Sequence, residues 1–255
     1  LREDAFSTLQ PAAKNLLSPE PGLLIRCLVS SLSGDNDLLI KRGIWDLLLQ
    51  RLHLESPVLN QVISVSDKKL LMMACCKTIL DKDMSLNRRI WNWLLGPAAA
   101  SMNNAGAGTD QVMEDSNEYF LKYGFESLID GLKDMMGTQE SVITAINICV
   151  SLMDRWEIGS LVVPEMFIPL LLATKRFAYN PQVMKTSSIF FDTVETNIIW
   201  GKIFQYIMDT KDLDFLKFVL NSYNVANEEE IVVRHLPLIL LTILSSNEFQ
   251  NEDLS

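Results

Sequence analysis

Apolar residues along this chain recur at three- and four-residue spacings, and no stretch alternates strictly between turns, so the pattern predicts helices nearly throughout. Leu23, Leu24, Cys27, Leu28 and Leu32 share one helical face between Pro21 and Gly34, which suit an entry and an exit. A second helix is predicted from about Asp35 or Asn36, with Leu39, Ile40, Ile44, Leu47 and Leu48 on its face and Trp45 beside them, ending before Pro57. A third starts at Ser66 or Asp67 and carries Leu70, Leu71, Ala74, Cys75, Thr78 and Ile79.

The fourth is "DMSLNRRIWNWLLGP", Asp83 to Pro97. On a helical wheel Leu86, Ile90, Trp93 and Leu94 form one stripe, and Trp91 and Leu95 widen the apolar arc to about 200°, against the ~100° of an ordinary surface helix. Such a helix packs on two sides. Arg88 and Arg89 border the arc, where their stems can lie along indole faces. Gly96 and Pro97 supply the stop.

The texture then changes. "PAAASMNNAGAGTDQVMEDSN" is small and polar, and it predicts a long low-complexity loop at about 97–117. Helices resume through Tyr119, Phe120, Tyr123, Leu128, Ile129, Leu132 and Met136, then from Thr138 through Val142, Ile146, Cys149 and Met153. Pro164 reads as a first-turn proline and Pro169 as a kink. Later helices carry Met184, Ser188 and Phe191; Ile199, Ile203, Tyr206 and Ile207; and Leu213, Leu216, Phe218 and Leu220. Asn227 with Glu230 forms a capping box for the last one. Helix pairs recur roughly every 35–45 residues. The fold class predicted is therefore all-α, one solenoid-like domain over 1–255 built of stacked helical hairpins of armadillo or HEAT type, with a globular helical bundle as the alternative. Leu1 is not a methionine, and the chain reads as a piece of a longer protein.

Composition narrows the function. The net charge is −10 and the pI about 4.7, the wrong field for nucleic-acid binding. Four cysteines lie within apolar runs, as free core thiols do, and a reducing compartment fits them. The longest apolar runs, "LPLILLTIL" and "PEMFIPLLLA", are too short to cross a bilayer.

Chemistry is sparse. Gly106 and Gly108 lack the strand, lysine and helix that a phosphate loop needs. His53 and His235 are far apart and outside any metal-binding pattern. "NEEE" at 227–230 suits a helix start. No nucleophile–base spacing stands out, so no enzyme, cofactor or metal is expected. The candidate partner-contact residues are Arg88, Arg89 and Trp91. An anionic lipid surface is the alternative ligand, through Lys41 with Arg42, Arg88 with Arg89, and Lys175 with Arg176.

"LIKRGIWDLLLQRLHLESPVL" and "DKKLLMMACCKTILDKDMSLNRRIWNWLLGP" resemble the N-terminal region of the Dopey family, as do "VSLMDRWEIGSLVVPEM" and "VMKTSSIFFDTVETNIIWGKIF". The resemblance covers most of Asp35–Ile207. It implies a non-catalytic armadillo-like scaffold from a very large cytosolic protein, peripheral on Golgi and endosomal membranes. The implied partners are a large HEAT-repeat relative of the Arf exchange factors, a phospholipid-flipping P-type ATPase and, in animals, kinesin-1 through its light chain.

Overall fold

The computed structural model describes residues 20–34, 37–101, 116–223, 233 and 235–245. Among the described residues there is no strand. Among the described residues, with a helical segment at 116–120 besides, the helices follow in order: α1 Pro21–Ser33, α2 Leu38–Arg51, α3 Val65–Lys77, α4 Met84–Ser101, α5 Glu126–Asp134, α6 Gln139–Leu152, α7 Trp156–Arg176, α8 Pro181–Thr193, α9 Thr196–Thr210, α10 Leu213–Ser222 and α11 Leu236–Ser245. Short π-type segments at Val58–Val62 and Leu121–Phe125 and 3₁₀ turns at Thr78–Asp81 and Met135–Gly137 join some of them. The chain divides into two compact units: residues up to Asp134 with Ser151–Val162, and Met135–Val150 with residues from Val163 on.

In the first unit α1 packs on α3 and α3 on α5, while α2 packs on α4. Each helix thus stacks on the next but one, which is the wiring of stacked helical hairpins. Polar contacts across the stacks repeat at a near-constant sequence step. Arg26 pairs with Asp67, Lys41 with Asp81 and Arg89 with Asp46, 40 to 43 residues apart. In the second unit Asn180 donates to Gln139, Lys202 to Glu165, and Ser187 meets the Tyr223 hydroxyl, 36 to 41 residues apart. The all-α, stacked-hairpin fold class holds, and its step matches the expected period.

Stacking explains α3. With α1 on one side and α5 on the other, Leu71, Met72, Met73, Ala74, Cys75 and Cys76 are all buried. Ser64 caps its start, accepting from the Asp67 amide, and Arg26 of α1 takes the Asp67 carboxylate at 3.1 Å.

Other faces turn differently from expectation. On α1 the buried positions are Ile25, Leu28 and Leu32, while Leu23 and Cys27 are exposed. On α2, capped by Asp37, Ile44, Trp45 and Leu48 are buried, and Leu39, Ile40 and Leu47 face outward. Leu70 on α3 and Leu213 on α10 are also exposed. Where apolar residues ring a helix, partners some 40 positions away choose the face. Pro164 is not a first-turn proline: α7 begins at Trp156 and runs through both Pro164 and Pro169. Neither proline has an N–H to give the preceding turn, a defect of about 3 kcal/mol each in an isolated helix. Burial of Val162, Val163, Met166, Phe167, Leu170 and Leu171 offsets it. At 21 residues α7 is long and apolar enough to cross a membrane by composition, but 56% of its apolar window is buried inside the fold, as in a core helix.

The loop expected at about 97–117 is shorter at both ends. Pro97–Ser101 resumes helical backbone after a break at Gly96, and 116–120 is helical. The remainder, with Gly106 and Gly108, lies outside the described residues, as does the Asn227–Glu230 cap.

Burial also fixes a pH response. It raises the Cys75 thiol well above its ordinary value of 9.0 and pushes Cys76 up to about 12. Tyr119 and Tyr223 rise, again through desolvation, to about 12 from 10.0. All four hold protons in the folded state that the unfolded chain releases sooner. Their contribution to stability is therefore complete below about pH 9 and is lost as pH rises toward 12. Urea unfolding at stepped pH is expected to show a falling unfolding free energy above pH 9. A value still level at pH 11 contradicts this.

Candidate partner-contact site

Helix α4 starts on Asp83, whose carboxylate accepts from the amides of Ser85 and Leu86 at 2.9 Å. The Ser85 hydroxyl adds a bond, and these donors, helped by Arg42, hold the Asp83 carboxyl below the usual range. Arg42 of α2 donates Nε to Ser85 Oγ at 2.9 Å and lies 3.7 Å from Asp83. Lys41 reaches Asp81 at 2.7 Å. One turn along, Arg89 donates to Asp46 at 2.9 Å and to the Ser85 carbonyl at 3.1 Å. Farther on, Trp93 Nε1 donates to the Leu52 carbonyl at 2.8 Å, just past the end of α2, and its ring meets Trp45 edge-on at 5.9 Å. The ring of Tyr119 covers Gly96. "KRGIWDLLLQRL" and "DMSLNRRIWNWLLG" are thus two halves of one seam.

The seam settles where each candidate residue goes. Leu86, Ile90, Trp93, Leu94 and Leu95 are buried, as the wide arc requires. Trp91 is buried too, at 8% exposure, and the Arg155 guanidinium lies 5.9 Å from its ring. Arg89 is held by Asp46. Arg88 is exposed and pairs with no carboxylate among the described residues. It stands one turn before Trp91 on the same helix face. Met84 and Trp156 nearby in sequence to these groups are also exposed. Arg155 therefore covers a buried indole, and the exposed Arg88 one turn earlier adds a second cation at a surface that can receive acidic or polar groups.

Arg155 was not among the residues the spacing singled out. Its basic-aromatic pair with Trp156 is visible in "MDRWEIG", but nothing local says that it reaches a tryptophan 64 positions earlier in the chain.

The other basic pairs are largely engaged. Lys41, Arg42 and Arg89 face carboxylates of the seam, Lys175 lies 3.6 Å from Asp212, and Arg176 points a nitrogen at the Met136 carbonyl. Among the described residues no group of three or more metal-ligating side chains gathers, and His53 is exposed just beyond α2. His235 stacks on Trp200 with ring centroids 6.3 Å apart.

Comparison with known proteins places these features. The family model described as "Dopey, N-terminal" matches residues 2–99, and "DOP1 middle TPR domain" matches residues 119–255. The gap between the two falls in the small, polar stretch. The chain is 59% identical to Protein DOP1 of Saccharomyces cerevisiae over 252 residues, which is 96% of this chain and 15% of the yeast protein. It is 33% identical to Protein dop1 of Emericella nidulans, over 92% of this chain and 14% of that protein. A Drosophila melanogaster protein named Protein DOP1 homolog is 28% identical over 66% of the chain and 7% of its own length. No solved structure matches. The steps of 40 to 43 residues in the first unit and 36 to 41 in the second run from near the ~34 of tetratricopeptide repeats into the ~40–47 range of HEAT and armadillo repeats.

Proposed function

Because this chain belongs to the Dopey family, spanning about a seventh of its fungal relatives, we propose that it is a non-catalytic scaffold segment binding protein partners in Golgi and endosomal traffic. The observation that carries this reading is the split within α4. Its buried arc and Arg89 hold the stack together, while Arg88, with Arg155 over Trp91, leaves cations at the surface.

The partners proposed are those the family resemblance implies, the large HEAT-repeat relative of the Arf exchange factors, the phospholipid-flipping P-type ATPase and, in animals, the kinesin-1 light chain, and the exposed cations suit an acidic or polar contact. The protein works from the cytoplasm, peripheral on the membrane. A lipid surface is the weaker reading. It needs several free cations on one face, and the seam engages Lys41, Arg42 and Arg89.

The test is purification of the full-length protein from cells at near-physiological salt. Co-purification of the HEAT-repeat exchange-factor relative is expected, with at least about a fivefold loss on Arg88→Glu together with Arg155→Glu. Undiminished co-purification removes this edge from the contact. Flotation of the full-length protein with anionic vesicles, without any protein partner, would favour the lipid reading instead.

A further inference from the structure

One face of α2 is apolar and turned outward. Leu39 is 70% exposed, Ile40 50% and Leu47 38%, and Gly43 and Gln50 between and beyond them are exposed as well. On a helical wheel these five positions fall within an arc of about 100°, across from the buried Ile44, Trp45 and Leu48. An exposed acid and an exposed base stand at the two ends of the helix. Asp37 caps its start, accepting from the Leu39 amide, and Arg51 closes its last turn. Among the described residues neither takes part in an ion pair.

Gly43 sits in the middle of this face. In a helix interior glycine is less favourable than alanine. At Gly131 of α5 the packing explains the missing side chain, because a Cβ there would run into Met73 of α3. At Gly43 a Cβ would meet nothing within 4 Å, so the room it leaves is empty among the described residues. That room is complementary to itself. A two-fold axis at Gly43 lays a second α2 antiparallel across the first. Gly43 then meets Gly43, and each Leu39 meets the second copy's Leu47, since both leucines lie four positions from the glycine. The same crossing brings Asp37 of each copy to the helix end that carries Arg51 in the other, and it opposes the two helix dipoles.

We propose that this face of α2 is a self-association seat, on which a second copy of the chain lays its own α2 antiparallel at Gly43. The glycine sets the depth of the crossing, the leucines and Ile40 supply its apolar contact, and the Asp37–Arg51 pairs set its direction. A single helix crossing covers less than the ~1,200–2,000 Å² of a stable interface, so the pairing is reversible and grows with protein concentration. It uses a different helix from Arg88, and neither reading rests on the other.

The test uses the full-length protein, produced as two forms in one cell, one with Leu39→Cys and the other with Leu47→Cys. Both positions are exposed, so the fold is kept. A short bismaleimide is applied under native conditions, and the linked peptides are read by mass spectrometry. The link between positions 39 and 47 of different copies is expected to exceed the 39–39 and 47–47 links by at least about tenfold. It should exceed by as much the link from Leu39→Cys to a co-produced form carrying Ile189→Cys, an exposed position on α8. Gly43→Leu, added to both forms, is expected to bring the 39–47 link down to these controls. A 39–47 link no stronger than the controls overturns the proposal, as does one that Gly43→Leu leaves unchanged. Position 39 linking instead to a different protein also overturns it.

Discussion

Replacing Gly96 by alanine is expected to lower the unfolding free energy by about 2–6 kcal/mol. Two costs combine. Gly96 has φ 77° and ψ −173°, a region essentially reserved for glycine, where a side chain costs about 1–3 kcal/mol. A Cβ there would also come within 2.8 to 2.9 Å of three ring atoms of Tyr119. That ring is half buried and cannot simply swing away, so strain of a further ~1–3 kcal/mol follows. Against a typical total of 5–15 kcal/mol this is a large loss. Urea unfolding measures it; a change below about 1 kcal/mol would mean that the break after Leu95 relaxes freely.

The two tryptophans of the seam are expected to respond differently to phenylalanine. Trp93 is 2% exposed and its indole N–H satisfies the Leu52 carbonyl. Trp93→Phe removes the donor and part of a core ring, so a cost of about 2–3 kcal/mol follows. Trp45 is fully buried, but its Nε1 has no acceptor among the described residues. Trp45→Phe discards an unsatisfied polar group, and this gain offsets part of the lost volume. Its cost should be smaller, about 1 kcal/mol. Equal losses in paired unfolding curves would mean that volume alone matters here.

The contrast between α4 and α2 shows what a sequence can and cannot disclose. In α4 the apolar arc covers more than half the wheel and polar residues mark its edges, so the buried set could be read directly. In α2 apolar residues surround the helix. Which ones turn inward depends on Lys41, Arg42 and Asp46 meeting Asp81, Asp83 and Arg89, and those partners are 40 or more positions away. The hairpin period was legible because the repeats use similar steps of 36 to 43 residues. The course of α7 through two prolines was not, since local rules end a helix there and only burial carries it on. At the candidate site Arg88 could be read as a border cation, whereas the cover of Trp91 by Arg155 is a product of folding.

The account turns on the separate roles of two adjacent arginines. Arg88→Glu and Arg89→Glu, each in the full-length protein, should be compared for both unfolding and capture of the HEAT-repeat exchange-factor relative. Arg89→Glu is expected to destabilise by about 1 kcal/mol, because it loses a half-exposed pair and opposes Asp46. Arg88→Glu is expected to leave unfolding unchanged and to weaken capture several-fold. Destabilisation by Arg88→Glu with undiminished capture would contradict the account.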